Sequence, residues 1–322
     1  MDCCFDGDVF VLRDYNREPP FSGLLPGVAG LRGVPLWCFY VSRGQGVASF
    51  GAGERDGAMM EYVPAVTAYE DTARKGFRTF ISCGGRCFEP FAPDDPAQKQ
   101  ELRVSRAALE LRALHEPSDI EVRVEYRILP GEDMGALMRR VTVRNTGGGS
   151  ITFRLADGMA RVIPAGIRNR EFREMANLLK SYFDARLDGS GAALFSSRTT
   201  TENTARVGSV RRKNFYFASS GGRAMKLVCD PVRLFGPDTA LGRPARFYEA
   251  GFDMGGAPSD ARDGIPCAMA LGEFSLAPGG EAVIDAFAGS ADSAEQAALY
   301  THKFTDKAWC DGKHALSELS LI

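Results

Sequence analysis

The stretch Ser42-Arg43-Gly44-Gln45-Gly46 gathers residue types that suit an anion or a sugar. Arginine offers a planar fork of donors, glutamine pairs with hydroxyls, and glycine lets a ligand approach the backbone. Just upstream, Trp37 and Tyr40 are aromatics of the kind that stack on sugar rings. Trp37, Tyr40, Arg43 and Gln45 are therefore the candidate substrate-binding residues. The same segment also reads as a strand with a bend, a surface arginine and two core aromatics.

Other chemistries find less to work with. A nucleophilic triad needs a base, and His115, His302 and His314 are the only histidines. No Gly-x-Ser-x-Gly elbow and no phosphate-cradling Walker loop occurs. Among eight cysteines Cys83-Gly84-Gly85-Arg86-Cys87 is a close spacing, and a zinc site would need a second pair. Thiols around a Gly-Gly turn are the expectation there. Asp6-Gly7-Asp8 reads as a weak cation site or an acidic turn, and Asp94-Asp95, between Pro93 and Pro96, as a solvated loop. Two carboxylates flanking a glycosidic bond can come from anywhere in a β fold, so the pattern nominates none. The sequence thus nominates no catalytic residue, no metal ligand and no cofactor.

The elements that would position these residues are mostly strands. Ile120, Val122, Val124, Tyr126 and Ile128 alternate with Glu121, Arg123, Glu125 and Arg127, the period of a half-buried strand. Arg139–Arg144 leads into Asn145-Thr146-Gly147-Gly148-Gly149 and then Ile151–Leu155, read as a hairpin whose turn residues accept positive φ. Further strand-and-turn units fall at 37–50, 58–63, 77–82, 102–114, 193–197, 215–218, 224–229, 267–276 and 281–288. This argues for antiparallel sheets packed face to face. Two stretches have helical spacing: 169–187 in mid-chain and 292–321 at the end.

The chain has 322 residues, long enough for about two domains. Lys and Arg number 39 against 41 Asp and Glu, a net charge of −2, so no basic field exists to gather nucleic acid. No apolar run approaches the ~18 residues of a membrane span. The start, Met1-Asp2-Cys3-Cys4-Phe5-Asp6, is acidic where a secretory signal is basic and then apolar, so the expected location is the cytoplasm.

Several segments resemble a known family. Pro35–Gly51, Met60-Glu61-Tyr62-Val63-Pro64-Ala65, and Gly76–Ile81 look like the opening strands of cellobiose-phosphorylase-like enzymes, the glycoside hydrolase family 94 type. Met138–Thr146, Val162-Ile163-Pro164-Ala165-Gly166-Ile167 and Gly289 leading into a helical tail are similar to later parts of the same group, nearest to β-1,3-oligoglucan phosphorylases. The resemblance covers roughly residues 30–320. It implies a mainly β, antiparallel β-supersandwich, galactose-mutarotase-like, over residues 1–290, with a mid-chain helix. It further implies a helical linker over 291–322 directed towards an (α/α)6 catalytic barrel, in cis or as a separate chain.

Such enzymes use inorganic phosphate as co-substrate to cleave β-glucan oligosaccharides or disaccharides with inversion, releasing α-glucose 1-phosphate. The complete enzymes are homodimers, and their general acid and phosphate ligands belong to the barrel. The implied role here is a non-catalytic domain serving packing, dimerisation and the substrate entrance. The alternatives are a stand-alone carbohydrate-binding module and, on the shared fold, a mutarotase-like epimerase. Without a barrel, Trp309, Leu316, Leu319 and Leu321 are expected to form a bare helix stripe, unless the tail folds back on the sandwich.

Overall fold

The computed structural model describes residues 2–25, 34–199, 210–256 and 260–319. Strands take 42% of the described residues and helices 20%, the balance expected of packed antiparallel sheets. The alternation at 120–128 is realised residue by residue: Ile120, Val122, Val124, Tyr126 and Ile128 are buried, and the charged residues between them are half-buried. Strand Ile120–Ile128 pairs with Leu109–His115 on one side and Gly135–Asn145 on the other. Gly135–Asn145 then pairs with Glu281–Ala291, which pairs with Lys213–Ser220. These lie within a 12-stranded sheet among the described residues.

A 5-stranded sheet faces it, ordered Lys226–Val228, Ala268–Leu276, Ile151–Met159, Phe77–Cys83 and Arg86–Phe88. Between the two sheets lies the main core, where Val122, Val124, Tyr126, Val141 and Val143 join Ile81, Phe153 and Leu155. A third, 3-stranded sheet comprises Ser22–Leu24, Leu36–Val41 and Val47–Ala52.

The hairpin expected around Asn145 is corrected by this topology. Gly135–Asn145 and Ile151–Met159 belong to different sheets, so residues 145–149 carry the chain across the sandwich. Both strands already have partners on each side, leaving no edge for them to share. None of these five residues adopts a positive φ. Asn145 organises the crossing, donating to Gly149 O at 2.7 Å and Ala277 O at 3.1 Å and accepting from Gly147 N at 3.0 Å. At Gly84-Gly85, by contrast, both φ values are positive and a tight hairpin forms, with Cys83 and Cys87 half-buried around it.

Five α-helices among the described residues fill the gaps: α1 (Ala65–Lys75), α2 (Asn169–Leu179), α3 (Val232–Phe235), α4 (Ala294–Thr305) and α5 (Lys307–Leu319). The helix expected over 169–187 stops early, because Phe183–Leu187 is a strand paired with Ala193–Ser197. The expected strand at 58–63 is irregular chain that enters α1, a helix the sequence pattern did not suggest.

At the C-terminal end, α4 and α5 cover the outer face of the large sheet. Phe304 stacks on Phe287 with ring centroids 4.0 Å apart, and Trp309 packs against both. Helix α5 is fastened by polar contacts: His314 Nδ1 to Glu125 at 3.0 Å, Arg127 to Ser317 Oγ at 3.1 Å, and Lys313 to Glu132 at 2.6 Å. The bare stripe is therefore partly covered. Trp309 is packed, Leu316 and Leu319 are exposed, and Leu321 lies outside the described residues. No helix of the described residues is long and apolar enough to cross a membrane.

Candidate functional site

The loop 42–46 joins strands Leu36–Val41 and Val47–Ala52, and its polar groups turn inward. Arg43 donates to the carbonyls of Tyr15 at 3.0 Å, Ser42 at 2.6 Å and Glu18 at 2.8 Å. Gly44 takes positive φ and lies so close to α1 that an added Cβ would sit 2.7 Å from Ala73 Cα. Tyr40 is buried against Phe21. Trp37 is half-buried, donates to Glu54 O at 3.1 Å, and meets Phe39 and Tyr62 at ring distances of 6.0 and 5.9 Å.

Gln45 joins a buried ionic network instead of an open surface. Arg139 donates to both carboxylate oxygens of Asp157, to Gln45 Oε1 at 2.6 Å and to Tyr126 Oη at 3.2 Å. Gln45 Nε2 donates to Thr79 Oγ1 at 2.8 Å, and Thr79 donates to Asp157 at 2.6 Å. Burial alone would lower the pKa of Arg139. Asp157 outweighs it and holds the guanidinium charged, with its pKa above the ordinary value. Arg139 belongs to the large sheet, Asp157 and Thr79 to the facing one, and Gln45 to the loop between, so the network ties three parts of the fold together. Trp37, Tyr40, Arg43 and Gln45 are thus close in sequence but do not converge on one surface.

A different set of side chains does converge. A cleft of about 330 Å³ lies between α1 and α2, lined by Glu61, Asp71, Lys75, Arg161, Phe172 and Arg173 among others. That volume is in the range of small-molecule sites. Its walls are fixed by two buried asparagines. Asn169, at the start of α2, accepts from Tyr62 N at 2.8 Å and donates to Tyr62 O at 3.2 Å, while Asn214 donates to Ile163 O at 2.8 Å. Ile163 N in turn donates to Met59 O at 2.8 Å. Segments 59–64 and 161–163 are thereby clamped to each other and to the sheet.

The charges in the cleft do not cancel. Lys75 pairs with Asp71 at 2.5 Å and Arg173 with Glu61 at 3.6 Å. Arg161 has no hydrogen-bond or ion-pair partner among the described residues, and it also lines two adjoining cavities, one of them about 650 Å³. Burial lowers its pKa, against the attraction of Asp71 and Glu61. Glu61 is raised, because burial outweighs Lys75, Arg173 and Arg161. The site can therefore accept an oxyanion at Arg161 and bond hydroxyls through its carboxylates and Lys75.

Sequence reasoning did not find this cleft. Its residues are spread from Glu61 to Arg173, and α1 was not legible. The one local signal was Asp71 four residues before Lys75, the spacing of a helical ion pair. Among the described residues no group of three or more His, Cys, Asp or Glu could hold a metal ion. His115 is buried and stacked on Phe88 at 3.8 Å, with burial lowering its pKa, and offers no accessible base.

With this geometry in view, the glycosyl hydrolase 94 supersandwich domain family matches residues 89–307. The chain belongs to that family. No curated protein gives a match. Two solved structures are similar in outline. One is a polysaccharide lyase, with a TM-score of 0.44 and 10% identity, over 82% of this chain and 33% of the lyase. The other is a bacterial glucoamylase complexed with acarbose, with a TM-score of 0.46 and 12% identity, over 95% of this chain and 40% of the glucoamylase. The chain spans less than half the length of either. In this supersandwich the matched region includes both sheets' long strands, the ionic network partners Arg139 and Asp157, and the Arg161 side of the cleft.

Proposed function

We propose that this chain is the non-catalytic supersandwich domain of an inverting glycoside phosphorylase that acts on β-glucosides, of the β-1,3-oligoglucan type. In this reading residues 1–290 form the sandwich, and residues 291–322 lead towards an (α/α)6 barrel in cis or on a separate chain. The domain then serves packing, dimerisation and the substrate entrance, while inorganic phosphate and β-glucan meet at the barrel. The observation that carries the reading is the family match across residues 89–307. The interior supports it too: the best-connected polar group, Arg139 with Asp157, is sealed between sheets, where it can hold structure and reach no substrate.

The test is phosphorolysis by the purified chain, offered β-1,3- and β-1,4-linked glucan oligosaccharides with inorganic phosphate. No α-glucose 1-phosphate is expected. Release at about 1 s⁻¹ or faster would overturn the non-catalytic assignment, since that is the ordinary range of enzyme turnover. A barrel encoded in frame with, or beside, this domain would support the partner assignment, and its absence from the gene and its neighbours would favour a separate carbohydrate-binding module.

A further inference from the structure

We propose that the Arg161 cleft is a binding site for a small anionic sugar, one carrying a single phosphate or carboxylate on a hydroxylated body. The proposal stands apart from which reaction the complete enzyme performs. It begins with a charge count inside a built cavity. Three cations and two carboxylates line the cleft, and pairing Lys75 with Asp71 and Arg173 with Glu61 leaves one guanidinium over. Arg161 is half-buried, so water screens its charge incompletely. A guanidinium fork without a carboxylate partner matches the paired oxygens of a phosphate or carboxylate.

The remaining lining favours a polyol as the body of the ligand. Glu61 and Asp71 each keep acceptor capacity beyond their single ion pair, and the Lys75 ammonium keeps donors beyond Asp71. Phe172, Ile265 and Val63 supply apolar surface for the C–H faces of a ring. A peptide would need unpaired backbone groups along a groove. Here the backbone groups of Met59, Tyr62 and Ile163 are already bonded to Asn169, Asn214 or each other. The clamped walls also mean that little ordering is left to be done on binding, which favours affinity. Beyond Arg161 and Ile265 the second cavity adds Asp230, Asp238, Asp260 and Asp263 as acceptors for further hydroxyls, with Lys180 and Arg262 in the same lining. The anionic group is placed at Arg161, the cation of the cleft that no carboxylate pairs among the described residues.

The experiment titrates the full chain by calorimetry with glucose 6-phosphate, glucuronate, glucose and inorganic phosphate at fixed ionic strength. At least one of the two anionic sugars should saturate, binding about tenfold or more tighter than glucose. Glucose 6-phosphate alone would assign the anion as phosphate, and glucuronate alone as carboxylate. Arg161→Met should weaken that binding about tenfold or more, with Arg161→Lys recovering part of it. In the wild-type chain, NMR methyl signals of Met60, Ile163 and Ile265 should shift along the same saturation curve, a readout that needs no variant to fold. Binding of neither anionic sugar, equal binding of glucose, inorganic phosphate binding as tightly as the sugars, or methyl shifts elsewhere only would each overturn the proposal.

Discussion

Arg139 and Arg161 are two guanidiniums withdrawn from water by the same fold, and they are treated in opposite ways. Arg139 is sealed between the sheets and saturated: Asp157 takes two of its bonds, with Gln45 and Tyr126 taking others, and the rings of Phe77 and Tyr126 lie 5.1 and 5.6 Å from it. Arg161 is half-buried at the meeting of three cavities with no hydrogen-bond or ion-pair partner among the described residues. Burying a charge is costly, so a complete set of partners is what a purely structural arginine needs. An arginine left without them, in a cavity with rigid walls, marks where a ligand can complete the set. The difference separates a device for joining sheets from a device for holding something.

The largest effect should come from breaking the saturated side. Asp157→Ala leaves the Arg139 charge buried without a counter-ion, at an expected cost of about 3–5 kcal/mol. Urea unfolding of the two proteins would measure it. A combined Arg139→Met and Asp157→Leu exchange, which removes both charges, should recover most of that loss. A cost under about 1 kcal/mol for Asp157→Ala would mean that the network does not join the sheets.

How far this contrast was legible in the sequence depends on the distance over which each feature is written. The alternation at 120–128 is local, so the strand and its buried face could be read directly. Gln45 stands out for the chemistry of its residue type, yet its partners Thr79 and Arg139 come from two other strands, with Asp157 behind them on a third, and only the topology brings them together. The crossing at residues 145–149 looked like a hairpin because Asn and Gly suit turns, whereas partner choice was decided by strands over a hundred residues away in sequence. Helix α1 escaped because only Ala68 and Thr72 of its residues are buried, too few to write an apolar stripe. The cleft depends on that helix, so it stayed hidden along with it.

A smaller effect should follow from loosening the cleft wall. Asn169→Ala removes both side-chain bonds to the backbone of Tyr62 and leaves its part-buried N–H and C=O to find water. The expected cost is about 1–3 kcal/mol. Because the damage is local, hydrogen exchange at the Tyr62 amide should speed up more than global stability predicts. An unchanged Tyr62 exchange rate would show that the wall is held by something other than Asn169, and would remove rigidity from the account of the cleft.

The smallest effect carries the sharpest sign. In the cleft, Glu61 has its pKa raised from 4.5, first of all by burial, in spite of three nearby cations. A carboxyl whose folded pKa lies above its unfolded value binds its proton more readily in the folded chain. Well below pH 4.5 both states are protonated and Glu61 costs nothing. As pH rises from there through the folded pKa, the unfolded chain ionises first, so stability falls, and the full penalty persists at neutral pH. Glu61→Gln removes that penalty and keeps the shape. It should therefore leave stability unchanged in acid and raise it slightly near neutrality, by about 0.5 kcal/mol or less, in contrast to the large loss from deleting Asp157. Urea midpoints of both proteins at about pH 4 and about pH 7 would show the divergence, with the variant ahead only at the higher value. If the variant is instead less stable near neutrality, the pair of Glu61 with Arg173 outweighs burial. The cleft would then hold its charges for structure, as the interior network does, and the distinction between Arg139 and Arg161 would narrow to their exposure.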